Sequence, residues 1–139
     1  MRYNFSKYLG IPYKNNGRSF DGVDCFGLVS LVFAIEKKIT LPDYSENREL
    51  INCSINKDEH LLGSLTKLWR LVKDEEFNIF DVHVFLDDFA SITHSGINIG
   101  YNKFLHALED RVVEIGKVDI WKKKMVLTMR YIEDAKDHI

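Results

Sequence analysis

The feature that most limits how this chain can fold is a change of hydrophobic period along its length. From Cys25 to Lys38 the apolar residues Leu28, Leu31, Val32 and Ile35 recur at spacings of three and four, the mark of a buried helix face. Asp24 is a good residue type for its N-cap, and Lys37 and Lys38 suit the negative end of its dipole. Beyond residue 80 the period falls to two, and 81–86, 93–100, 103–108, 111–115 and 126–131 read as strands. Gly100-Tyr101-Asn102 supplies a tight turn between two of them. Helices followed by an antiparallel sheet of about five strands is α+β order. The intervening stretch opens on Leu41-Pro42-Asp43-Tyr44 and predicts a short helix at 45–52. A second helix is expected at 61–72, where Leu61, Leu62, Leu65, Leu68, Trp69 and Val72 share a face. With 139 residues and no internal repeat, the expected organisation is a single domain over 1–139, with a tail at 133–139 that frays.

Composition removes several function classes. Nineteen basic and 21 acidic side chains leave a net charge of −2, so no overall field draws in nucleic acid or an anionic membrane. The longest mainly apolar run, 26–35, is too short for a bilayer that needs about 20 residues. Two cysteines exclude a disulfide-dense scaffold and a four-cysteine zinc site. His60, His83 and His138 lack zinc-motif spacing and read as surface or core-edge residues, so neither metal nor cofactor is expected. Met1 to Lys7 has no apolar stretch of the signal-peptide kind. The expectation is cytoplasmic synthesis, with Cys25 and Cys53 kept as thiols.

The chemistry-bearing positions begin with Asp24-Cys25, where a polar loop rich in turn formers (15–24) meets the first turn of the helix. Unpaired N–H groups and the positive end of the helix dipole stabilise a thiolate there. On position alone, a reactive thiol and a small space-filling hydrophobe both stand. His94 opens one strand and His106 lies on the next. Taken singly, each reads as a core-edge histidine satisfied by backbone carbonyls; together, one imidazole next to a thiol, held from behind by the other, is the arrangement of an activated nucleophile. Parity opposes it: a regular two-residue turn at Tyr101-Asn102 pairs Ile97 with His106 and turns the histidines to opposite faces. A one-residue shift or a bulge near Gly96 restores a common face.

Three blocks carry a family resemblance. The first joins Gly10-Ile11-Pro12-Tyr13-Lys14-Asn15-Asn16-Gly17 to Gly22-Val23-Asp24-Cys25-Phe26-Gly27-Leu28-Val29 and resembles the nucleophile region of the NlpC-type cell-wall peptidases. His94-Ser95-Gly96-Ile97-Asn98-Ile99-Gly100 and Phe104-Leu105-His106-Ala107 are similar to the second and third motifs of that family, in the same order. The resemblance implies a papain-like α+β fold with Cys25 as nucleophile, His94 as general base and His106 as the orienting third member. It also implies that Tyr13 helps hold the substrate or the developing oxyanion, and that Asp24 helps bind the free amine of a stem peptide. The implied reaction is hydrolysis of the γ-D-glutamyl–diamino acid amide in peptidoglycan. Phe26 stands where the family commonly has serine, and Asn15-Asn16 where it has a glycine pair. The long interval from Cys25 to His94 points to an insertion around 41–72.

The aromatic residue after the cysteine, Leu41-Pro42-Asp43-Tyr44, and the closing Val112-Val113-Glu114, Trp121 and Arg130-Tyr131 resemble tail-associated members from phages and prophages. That resemblance implies phage tail proteins as partners and delivery to the cell wall on the particle. Two other readings share these residues: a non-catalytic tail-assembly or docking protein, and a cytosolic amidase acting on soluble muropeptides or other γ-linked substrates. Trp69 and Trp121 are expected in or beside the core, Lys122-Lys123-Lys124 as a solvated turn, Cys53 as an unreactive thiol, and Asp87-Asp88 as a strand-ending turn.

Overall fold

The computed structural model describes residues 3–42, 68–73, 76–86 and 92–133, with 92–93 described in backbone only. Two short strands, β1 (Arg18–Ser19) and β2 (Gly22–Val23), form a hairpin that runs directly into helix α1 (Cys25–Val32). The helix continues as a π-helical turn, Phe33–Lys37, and stops at Lys38 in the left-handed conformation with φ 57°. This matches the expected helix at both ends. The remaining strands are β3 (Trp69–Leu71), β4 (Val82–Leu86), β5 (Ile92–Gly100), β6 (Lys103–His106), β7 (Glu114–Lys117) and β8 (Met125–Tyr131). They make one antiparallel sheet in the order β3-β8-β4-β5-β6-β7, and the four-residue helix α2 (Val118–Trp121) follows β7. The fold is α+β, with six strands in the main sheet among the described residues against the expected five or so.

Period-two alternation divides the sheet into two faces. Val82, Val84, Ile97, Leu105 and Met129 join Leu28, Val29, Val32 and Phe33 of the helical segment in the main core. The opposite face gathers Phe85, Phe104 and Val118 with the half-buried Phe77, Trp121 and Met125. Phe104 lies close over two glycines on neighbouring strands. A Cβ on Gly96 would stand 2.5 Å from its ring, and one on Gly116 would stand 2.6 Å away. Side-chain-free positions on β5 and β7 therefore let the ring pack flat on the sheet.

Three expectations change. Trp69–Leu71 is a strand, not the end of a helix, because Trp69 packs edge-on against Phe33 and Tyr131 as β3 pairs with β8. The strand expected at 111–115 starts at Glu114. Asp110 turns the chain with φ 64°, and Val113 is drawn into backbone bonds with Gly10 and Ile11 that tie down the N-terminal segment. The third change is register. Tyr101 and Asn102 form the two-residue turn, with φ of 55° and 65°, but the pairing slips between Asn98 and Gly100. Ile99 is the extra residue, so Gly96, not Ile97, faces His106. The helix expected at 45–52, the 61–67 part of the second, Cys53, His60, Asp87-Asp88, His138 and most of the 41–72 insertion lie outside the described residues. Among the described residues no helix is long and apolar enough to cross a membrane.

Gly116→Ala should lower stability by about 1–3 kcal/mol in urea titrations, the usual range for overpacking. Adding Phe104→Leu should make the Gly116→Ala step milder than it is alone. Purely additive losses would disprove the ring-on-glycine packing.

Candidate active site

Cys25 is the first residue of α1 and is half-buried. Asp24 caps the helix from an extended backbone. Its Oδ1 accepts from the Gly27 N–H at 2.7 Å and from Arg18 Nη1 at 2.8 Å, and its Oδ2 accepts from the Asn16 N–H at 3.0 Å. One buried carboxylate thus joins the helix start to the loop before it, which makes Asp24 a cap and a clamp. Gly27 permits the approach, since a Cβ there would sit 1.9 Å from the Gly17 carbonyl oxygen. Tyr13 is half-buried and lies beside the strand leading to Cys25. It bridges to Val23, with flanking bonds from the Val23 N–H to the Pro12 oxygen and from the Lys14 N–H to the Val23 oxygen.

The Ile99 bulge brings His94 and His106 to one face, where His94 Nε2 and His106 Nδ1 are 2.9 Å apart in a hydrogen bond. Burial pushes the His94 pKa down to about 3, with the neighbouring His106 adding to the shift. Burial also lowers His106, to about 4, against the pull of Glu114 and with help from Arg111. Both rings are therefore neutral at pH 7, and their bond needs one N–H and one lone pair. A base role for His94 requires its Nε2–H to donate, which leaves the Nδ1 lone pair to take a proton. His106 Nε2 then carries the hydrogen, close to Gly116, where an added Cβ would stand 3.1 Å away.

His83, expected at the surface or core edge, is instead fully buried on the same face. Its Nδ1 meets Thr128 Oγ1 at 2.8 Å and its Nε2 meets Asn98 Oδ1 at 3.1 Å, while Asn98 Nδ2 donates to the Asn78 oxygen. Both ring nitrogens are engaged, and burial lowers its pKa. That makes it a structural histidine. Among the described residues no three His, Cys, Asp or Glu side chains converge to suit a metal ion. Two contributors to the site are not recognisable as such from the sequence, although Trp121 is expected in or beside the core, where it lies. Arg18, which grips Asp24, lies on β1, in a stretch whose composition signals only a loop of turn formers. Trp121 lies 4.9 Å from the His106 ring and 5.7 Å from the His94 ring, a contact that pattern along the chain does not encode.

The model of the NlpC/P60 family matches residues 10–130. The chain belongs to the NlpC/P60 family. It is 29% identical over 129 residues to a gamma-DL-glutamyl hydrolase of Bacillus subtilis, covering 90% of this chain and 27% of that protein. It is 26% identical over 115 residues to a probable endopeptidase NlpC homolog of Haemophilus influenzae, covering 83% of this chain and 51% of that protein. The chain thus spans about a quarter and about half of these curated relatives. A crystal structure of an NlpC/P60 family protein from Bacillus cereus superposes with a TM-score of 0.64 at 23% identity, covering 89% of this chain and 36% of that one. That likeness concerns the fold.

The histidine pair gives this NlpC/P60 domain a pH-dependent stability. Both folded-state pKa values lie below the ordinary 6.5, so the unfolded chain binds more protons as pH falls from 6.5 toward 4. Stability is therefore complete above pH 7 and is lost on acidification, by at most about 1.4 kcal/mol per pH unit for each histidine. Urea unfolding between pH 7 and pH 4 should show this slope. It should flatten in a His94→Gln/His106→Gln double variant, and an equal slope in both proteins would refute the assignment.

Proposed function

We propose that this NlpC/P60 domain is a cysteine endopeptidase that hydrolyses the γ-D-glutamyl–diamino acid amide of peptidoglycan stem peptides. The observation that carries the reading is the His94–His106 hydrogen bond, formed by residues from two sequence motifs of the family. Cys25 at the capped start of α1 supplies the sulfur, in a position that favours its anion. The names of the relatives, a gamma-DL-glutamyl hydrolase and a probable endopeptidase, support amide cleavage next to a γ-linked glutamyl residue.

In this mechanism His94 Nδ1 takes the proton from Cys25 Sγ as the sulfur attacks the amide carbonyl carbon. Backbone N–H groups at the start of α1 stabilise the oxyanion, and Tyr13 assists beside them. His94 then gives its proton to the leaving amine nitrogen, the C–N bond breaks, and a thioester to Cys25 remains. Water adds to the thioester as His94 accepts its proton. The return of that proton to sulfur releases the acid and restores the thiol. His106 holds the ring and tautomer of His94 throughout. Asp24 serves by fixing the helix end on which Cys25 stands.

The same reading places the enzyme on a phage or prophage tail. Its support is the resemblance of the Phe26 and Trp121 segments to tail-associated members. On this account the protein is made in the cytoplasm and the particle carries it to the wall.

Purified protein should release new amino termini from γ-D-glutamyl stem peptides. Cys25→Ala and His94→Ala should each lower kcat/KM by about a thousandfold or more, and His106→Ala by less than either. Undiminished hydrolysis by the Cys25 or His94 variant ends the mechanism. Antibody detection on purified tails tests the location, and absence from particles that contain the other tail proteins ends that part.

A further inference from the structure

The hydrogen bond between the two histidines sits inside an aromatic box. Phe85 and Phe104 are fully buried strand residues that flank the pair on the same sheet face, 5.7 Å from the His94 ring and 4.7 Å from the His106 ring respectively. Trp121 comes from outside the sheet, on α2, and is half-buried. Its indole stands edge-on to His106 at 83° and leans on His94 at 39°, so one side chain touches both members of the pair. It also touches Phe85 and Phe104, which closes the box. The start of α2 is pinned to the β5–β6 turn, where the Val118 N–H donates to the Asn102 oxygen at 2.9 Å. The cover is thus tied to the same hairpin that carries both histidines.

We propose that Trp121 is a positioning residue for the histidine pair, covering the His94–His106 hydrogen bond so that water does not compete for it. A bond between two neutral imidazoles is weak where water can replace either partner and stronger where it cannot. With the cover removed, water competes for the bonded ring nitrogens, and His94 is no longer confined to the tautomer that keeps the Nδ1 lone pair. Phe85 and Phe104 do not substitute, because each flanks only one of the two rings from a neighbouring position on the same sheet face, whereas Trp121 touches both. Among the described residues, the charged groups facing the box are Glu114, opposite His106 on β7, Arg111, which is paired with Glu114, and Lys124, whose ammonium is 5.9 Å from the indole centroid. Opening the box exposes the pair to water and leaves these charges in place.

The kinetic arm of the test rests on the hydrolase reading, and the spectroscopic arm does not. The full chain labelled with ¹⁵N-histidine is compared as wild type, Trp121→Phe, Trp121→Leu and Trp121→Ala. The shared ring N–H of wild type and Trp121→Phe should exchange slowly with solvent. In Trp121→Ala exchange should be at least about tenfold faster, and the titration midpoints of His94 and His106 should move up toward 6.5. His83, which touches Phe85 and Phe104 but shows no contact with Trp121, is the internal control and should not move. In turnover, the acid limb of kcat/KM should shift to higher pH in Trp121→Ala, with kcat reduced, KM within about twofold of wild type, and Trp121→Phe restoring the profile. If Trp121→Ala does not fold, Trp121→Leu carries the same expectation, since leucine lacks the flat face that spans both rings. Unchanged exchange and titration, or an equal shift of His83, overturns the proposal. Wild-type protein that cleaves nothing counts against the hydrolase reading, and the spectroscopic result still decides the role of Trp121.

Discussion

One extra residue in a strand governs this structure. With Ile99 inserted between Asn98 and Gly100, β5 and β6 pair so that Gly96 faces His106 and Asn98 faces Phe104. Removing that slip from the pairing rotates every side chain of β5 relative to β6 by one face. Ile97 would then oppose His106, and Gly96 would no longer lie under Phe104. The bulge therefore sets the hydrogen bond between His94 and His106, the seat of the Phe104 ring, and the box that Trp121 closes. These depend on one another, because Phe104 fits only where both neighbouring strands lack a Cβ.

The nucleophile side depends on a different device. Asp24 uses one carboxylate to cap α1, to pair with Arg18 and to hold the Asn16 amide. A lone cap stabilises a helix by about 1 kcal/mol, whereas this one also fixes the direction from which the loop enters. Gly17, Gly22 and Gly27 are required by that closeness, since a Cβ on any of them would meet a neighbour at 2.5 Å or less. The helix end carrying Cys25 is thus built by packing as much as by propensity.

Two histidine sites on one sheet face show how surroundings assign roles to the same side chain. His83 has both ring nitrogens engaged, by Thr128 and Asn98, and no exposed surface. His94 spends Nε2 on His106 and sits near the start of β5. A ring bonded through one nitrogen among the described residues can use the other for proton transfer, and a ring with both nitrogens bonded cannot. The Asp81–Arg130 pair, at 2.8 Å and 2.9 Å, fastens β8 to the chain entering β4 at the end of the sheet away from His94 and gives His83 a fixed frame.

The helix from Cys25, its Asp24 cap, most strands and the two-residue turn were legible in the sequence, because each rests on local periodicity or on one residue's preference. The order of the three motif blocks was legible too, and with it the family. Tertiary structure decided the rest. Trp69 to Leu71 became a strand because β8 and the Phe33 ring offered them partners. Arg111 and Val113 left the sheet because the N-terminal segment claimed their backbone groups. The histidines share a face because the β5–β6 pairing takes up an extra residue at Ile99, a choice settled between strands and not within either. Local sequence sets which conformations a segment favours at costs near 1 kcal/mol or less, and contacts between distant segments outweigh that wherever they bury a large side chain.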